Sequence, residues 1–159
     1  MNQPFLKEEL TSAMTLAYRE ILASKKSLLG WRWSHNDCWS LFCRYDSFLR
    51  KGESLIEGKV TGFSSDSTFL KQLHKAGYLD FEAMFDKSGY KLVSYKDTEL
   101  GDVVIARGLE YNTMTAMINT GKGWLNSSPN PSFDLIPYNM VSKIYTIGRP
   151  IRKDLNESI

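Results

Sequence analysis

Histidine is almost missing from this sequence: two of 159 residues, His35 and His74. A catalytic base of the commonest kind, or a metal site built on imidazole, therefore has two candidates at most. Cysteine is as sparse, with only Cys38 and Cys43. If both lie on one helix they face different directions, so they are poorly placed for a disulfide and nothing demands an oxidising compartment. No apolar run approaches the ~20 residues of a membrane span, and the N-terminus has no signal-peptide pattern. The chain is expected to be made and kept in the cytosol, or packed into something assembled there. An excess of one charge is also lacking, with 20 Lys and Arg against 18 Asp and Glu. That balance gives no electrostatic case for nucleic acid or an anionic membrane as partner. Phosphate-loop, dinucleotide-glycine and zinc spacings are absent, so no cofactor and no metal are expected. Gly121-Lys122-Gly123 reads as a tight turn.

What is present is the raw material of a core: 42% hydrophobic and 13% aromatic residues. At this length they fit one domain over residues 1–150, followed by a polar tail at 151–159. Residues 1–29 read as an N-terminal helix, Pro4 suiting its first turn and Leu10, Met14, Ala17 and Ile21 forming its stripe. That stripe packs on the next helix or docks on a partner subunit. Residues 30–52 hold a turn and a second helix, with Gly52 as its stop. Residues 53–89 read as a helical insert, capped at Ser64 to Ser67, ended by Gly77 and followed by one more turn at Phe81, Met84 and Phe85. After Tyr90 the period becomes that of strands: Tyr90–Tyr95, Asp102–Arg107, Thr113–Asn119, Gly123–Asn126 and Val141–Ile147. Helices first and a small antiparallel sheet second give an α+β fold.

The rest of the chain is arranged around Trp31 to Tyr45. Asn36 or Asp37 can cap a helix here, which puts Cys38 in its first turn, where the helix dipole favours a thiolate. The same spacing supports an inert cysteine. Cys38, Leu41, Phe42, Tyr45 and Leu49 share one helical face, and free cysteine is among the most buried residue types. Trp31, Trp33 and Trp39 could grip a peptide or glycan, although packing is tryptophan's more ordinary use. Asp37 and Asp102 read as a helix cap and a strand-start turn.

Trp31, Trp33, Asn36, Asp37, Cys38, Leu41 and Tyr45, in this register, resemble the nucleophile segment of papain-like cysteine peptidases of the NlpC type, in the short form found in tail-assembly proteins of long-tailed bacteriophages. Leu100-Gly101-Asp102-Val103-Val104-Ile105 resembles the family's Gly-Asp strand, and the likeness covers about residues 30–147. It implies a papain-like arrangement with Cys38 as would-be nucleophile. It also implies a histidine on the strand after the Gly-Asp strand, yet Thr113 or Met114 stands there. Asn126 would be the third member, with no imidazole to orient, and Trp31 stands where the family has its oxyanion-hole tyrosine. His35 lies on the turn, three residues before Cys38, and His74 reads as a solvated surface residue.

The expectation is a structural component of a phage tail tip or hub, virion-located and made in the host cytoplasm, with other tail proteins as partners and no working peptidase. The alternative is an active cysteine peptidase or amidase acting on cell-wall peptides during entry, with Cys38 as nucleophile and His35, His74 or another chain supplying the base. A tail-assembly chaperone is a third option.

Overall fold

A computed structural model of the protein describes residues 3–107, 114–140 and 145–152. The first long element is helix α1, Lys7–Ser27, which buries Ala13, Met14, Ala17 and Ile21 and places Glu8 and Glu9 at its start and Lys25 and Lys26 at its end, as the helix dipole prefers. It packs on α2, Cys38–Leu49, so the apolar stripe is satisfied within the chain. Helix α3, Asp66–Lys75, opens on a reciprocal cap in which Ser65 and Thr68 each bond the other's backbone amide. Helix α4, Phe81–Lys87, is capped by Asp80. Gly52, at φ +85°, takes the left-handed turn that follows α2 and donates its amide to Ser47 O at 2.8 Å. No helix of the described residues is long and apolar enough to cross a membrane.

The described strands are β1 (Gln3–Pro4), β2 (Tyr90–Leu92), β3 (Val103–Arg107), β4 (Met114–Asn119), β5 (Trp124–Leu125), β6 (Leu135–Ile136) and β7 (Tyr145–Arg152). They form one antiparallel sheet in the order β1-β7-β3-β4-β5-β6, with β2 also on β7. The fold is α+β, and β2 to β7 follow the four helices in sequence while β1 precedes them. The β4–β5 hairpin turns through residues 120–123, with Asn119 opposite Trp124. One sheet face carries Val103, Ile105, Ala116 and Ile118 into the main core with Ile21, Leu41, Phe42, Tyr45 and Phe85. The other carries Val104, Ala106, Met117, Trp124 and Ile147 into a smaller core. The alternation along β3 and β4 sorts these two sets, as the two-residue strand period requires.

Several boundaries differ from the sequence expectation. Pro4 is not in the first turn of α1: it lies in β1, opposite Ile151. The final strand was expected at Val141–Ile147. Residues 141–144 lie outside the described residues, and β7 instead runs on through Pro150 and Ile151 to Arg152. The polar tail thus cannot begin at Pro150 or 151, and residues 153–159 lie outside the described residues. Proline is tolerated because β3 ends opposite Gly148: the missing amide of Pro150 points past that end and forfeits no ladder bond. Ile151 on the other side donates to Gly89 O at 2.9 Å. The Tyr90–Tyr95 strand stops at Leu92 and gives way to a 3-10 turn at Tyr95–Asp97.

Candidate active site

The turn before α2 is locked by its own polar groups. Asn36 is fully buried. Its side chain accepts from Arg32 N at 2.7 Å and donates to Gly30 O at 3.0 Å. Asp37, not Asn36, is the helix cap: its carboxylate accepts from Ser40 N at 2.9 Å, Ser40 Oγ at 2.7 Å and Ser34 N at 3.0 Å. Burial raises the pKa of Asp37 above the ordinary carboxylate value, against the lowering effect of those donors. Two bonds pin the turn to the segment after β5. Ser127 Oγ donates to Asn36 O at 2.5 Å, and Trp31 Nε1 donates to Ser127 O at 3.0 Å. Trp31 is therefore a strut rather than a donor aimed at Cys38.

Cys38 opens α2 and is free. Its Sγ accepts the Ala116 amide of β4 at 3.4 Å. The thiol is pushed up to about 12, first by burial and then by the neighbouring Asp37 carboxylate. The helix dipole and the Ala116 amide favour a thiolate, and desolvation outweighs them. Cys38 is consequently a protonated thiol at neutral pH. Cys43, one turn and a half further on, is buried and likewise raised by burial.

In front of Cys38 lies a slot of about 20 Å³, lined by Trp33, Trp39, Phe63, Phe69, Ile105, Met114, Thr115, Ala116 and the acids Asp37 and Asp66. That is room for one water molecule. Its aromatic walls meet edge to face, Trp33 with Phe63, Phe63 with Phe69, and Phe69 with Trp39, at centroid distances of 6.2, 5.0 and 4.9 Å. Such contacts wall the slot with ordinary aromatic packing.

The structure gathers only part of the expected constellation. Met114 lines the slot with Cys38, while Thr113 lies outside the described residues. Asn126 does not line it: its Nδ2 reaches Phe133 O at 3.4 Å, and its buried Oδ1 has no partner among the described residues. The neighbouring residue, Ser127, makes the contact with the cysteine turn instead. His35 and His74 are both exposed, and neither is among the slot's lining residues. Asp102 does shape the turn before β3, accepting from Glu99 N at 2.8 Å. It also forms a two-pronged pair with Arg149, at 3.0 Å from both Nε and Nη2.

Two contributors escaped the sequence reading. Asp66 reaches across to accept the Met114 amide at 3.1 Å, and Ser127 holds the turn. Asp66 was visible only as part of a cap cluster, and Ser127 only as the residue after the expected Gly123–Asn126 strand, since both contacts span elements far apart in sequence. A wide groove of about 740 Å³ runs along Lys91, Ser94, Lys96, Asp97, Glu99 and Arg149. Its Arg149 is already engaged by Asp102 and by Asp97 O, and neither cysteine nor histidine lines it. Among the described residues no group of three or more His, Cys, Asp or Glu is placed to hold a metal ion.

Chemically, the site can present a half-buried thiol and an amide to a volume the size of a water. No described side chain lining it can take the thiol's proton as an imidazole would. Compared with family models, curated proteins and solved structures, the chain matches none.

Proposed function

We propose that this chain is a structural component of a long-tailed phage tail tip or hub, built on a papain-like scaffold of the NlpC type whose peptidase site no longer works. The tail assignment rests on the resemblance of Trp31–Tyr45 and Leu100–Ile105 to that family. The loss of activity rests on one observation: Cys38 faces Met114 and the Ala116 amide in an aromatic slot, with its thiol held protonated. A cysteine peptidase needs a thiolate, a base within hydrogen-bond reach and space for a carbonyl carbon. Here the thiol is raised, the two histidines are exposed elsewhere, and the volume admits one water. A helix-borne cysteine packed on the strand that follows the Gly-Asp strand supports the scaffold reading, as does the place of β2 to β7 after the helices. The location in the virion and the partnership with other tail proteins belong to the same proposal.

The test uses phage particles that encode this chain. Mass spectrometry of purified tails is expected to detect it, and Cys38→Ser particles are expected to assemble and infect as the wild type does. Absence from purified tails would overturn the tail assignment. Assembled Cys38→Ser particles that fail to infect, together with wild-type protein that cleaves cell-wall peptides, would restore the peptidase.

A further inference from the structure

Strand β4 is paired with β3 along Met114 to Ile118, but on its other side β5 covers only Ile118 and Asn119. The Met114–Met117 half of that edge has no strand partner among the described residues. Backbone groups alternate between the two neighbours of an antiparallel strand. Asn119 donates to Asp102 O and accepts from Gly101 N, so it points to the β3 side. Ile118, Ala116 and Met114 then point to the β5 side. Two amides of an open edge therefore face the slot, and each has found a side-chain acceptor: Ala116 N donates to Cys38 Sγ at 3.4 Å and Met114 N to Asp66 Oδ2 at 3.1 Å.

We propose that Cys38 and Asp66 act together as caps on the open half of β4, closing a sheet edge that would otherwise accept a strand from a second copy of this chain. An unpaired edge is a template for such addition, and buried amides without acceptors are costly. The two caps come from the first turns of α2 and α3, so both helices must be docked for the edge to be closed. Asp66 can serve because Ser65, not Asp66, holds the N-terminal amide of α3 through Thr68 N. The side chains of Trp39 and Phe69, with ring centroids 4.9 Å apart, line the same slot as the two caps. This role gives Cys38 a use that does not depend on catalysis, and it stands whether or not the chain belongs to a phage tail.

The test is amide hydrogen exchange by NMR on the full chain, with light scattering for association state. Cys38→Ala is expected to speed exchange at Ala116 by about tenfold while sparing Met114, and Asp66→Ala to do the reverse. Cys38→Ser and Asp66→Asn each keep an acceptor and are expected to retain most of the protection. The Cys38→Ala, Asp66→Ala pair is expected to self-associate, while the Cys38→Ser, Asp66→Asn pair stays monomeric. If the alanine pair does not fold, the single alanine variants carry the exchange test. Unchanged exchange at Ala116 in Cys38→Ala would overturn the Cys38 cap, and a folded alanine pair that stays monomeric would overturn the closing role.

Discussion

The two ends of α2 bury titratable side chains in opposite ways. At the N-terminal end, Cys38 meets an amide, aromatic rings and the acids Asp37 and Asp66, with no cation among the described residues that line the slot. At the C-terminal end, Asp46 is fully buried and saturated: it accepts from Arg50 Nε at 2.8 Å, Tyr90 OH at 2.6 Å and Ser54 Oγ at 2.6 Å. Arg50 continues outward, donating to Gly89 O at 2.8 Å and Ile151 O at 3.1 Å and lying 5.3 Å from the Tyr90 ring centroid. Burial works against its charge, but Asp46 and Tyr90 more than offset that and hold its pKa above the ordinary value. A charge survives burial where donors and a counter-ion converge, and a thiol without them stays neutral. The one helix thus has its ion-paired pocket at the end that ties strands together, and at the other end a protonated thiol beside the acids Asp37 and Asp66, where a peptidase would need a thiolate.

The largest expected effect is at the charged end. Asp46→Ala leaves Arg50 and Tyr90 unpaired in the interior and is expected to cost about 3–5 kcal/mol, measured by chemical denaturation; a cost near zero would break the contrast. Next is Gly148→Ala on β7, whose added Cβ would stand 2.6 Å from the Phe85 ring. Overpacking of that kind is expected to cost about 1–3 kcal/mol, and thermal melts would record it. Tyr18→Phe removes the bond from Tyr18 OH to Asp134 Oδ2 at 2.7 Å, an expected loss of about 1 kcal/mol.

The Cys38 end is sharpened by pH. The folded thiol keeps its proton to about 12, whereas an unfolded cysteine releases it near 8.5. Its contribution to stability is then complete below about pH 8.5 and lost as pH climbs toward 12. Alkylation of Cys38 by iodoacetamide at pH 9 should be roughly a thousandfold slower in the folded protein than in the unfolded chain. Cys43→Ser isolates the Cys38 signal, and fast alkylation with an apparent pKa below 8.5 would mean that a base is at hand. The smallest effect belongs to His35→Ala: an exposed residue, it is expected to change stability by under about 0.5 kcal/mol and to leave the alkylation rate alone.

The helices were legible because their signals are local. Asp37 caps α2 and Ser65 caps α3 from positions visible in the sequence, and Met14, Ala17 and Ile21 face the core at the spacing that announced them. The β4–β5 turn was equally plain in its two glycines. The C-terminal strand was not, since Pro150 and the polar residues around it read as a tail. Arg149 and Arg152 are held in the sheet by Asp102 and Glu9, partners 47 and 143 positions away. Asn126 was singled out by the family resemblance, and it is the next residue, Ser127, that bonds the cysteine turn.

Composition and period settled the class of fold and placed a cysteine at a helix N-terminus, because caps and apolar stripes act within one or two turns of chain. What that cysteine is remained open, since the dipole of its own helix favours a thiolate and the spacing favours burial. The answer lies in β4, Asp66 and four aromatic side chains brought together from three separate stretches. Their packing removes solvent from Cys38 Sγ, and desolvation outweighs the local dipole.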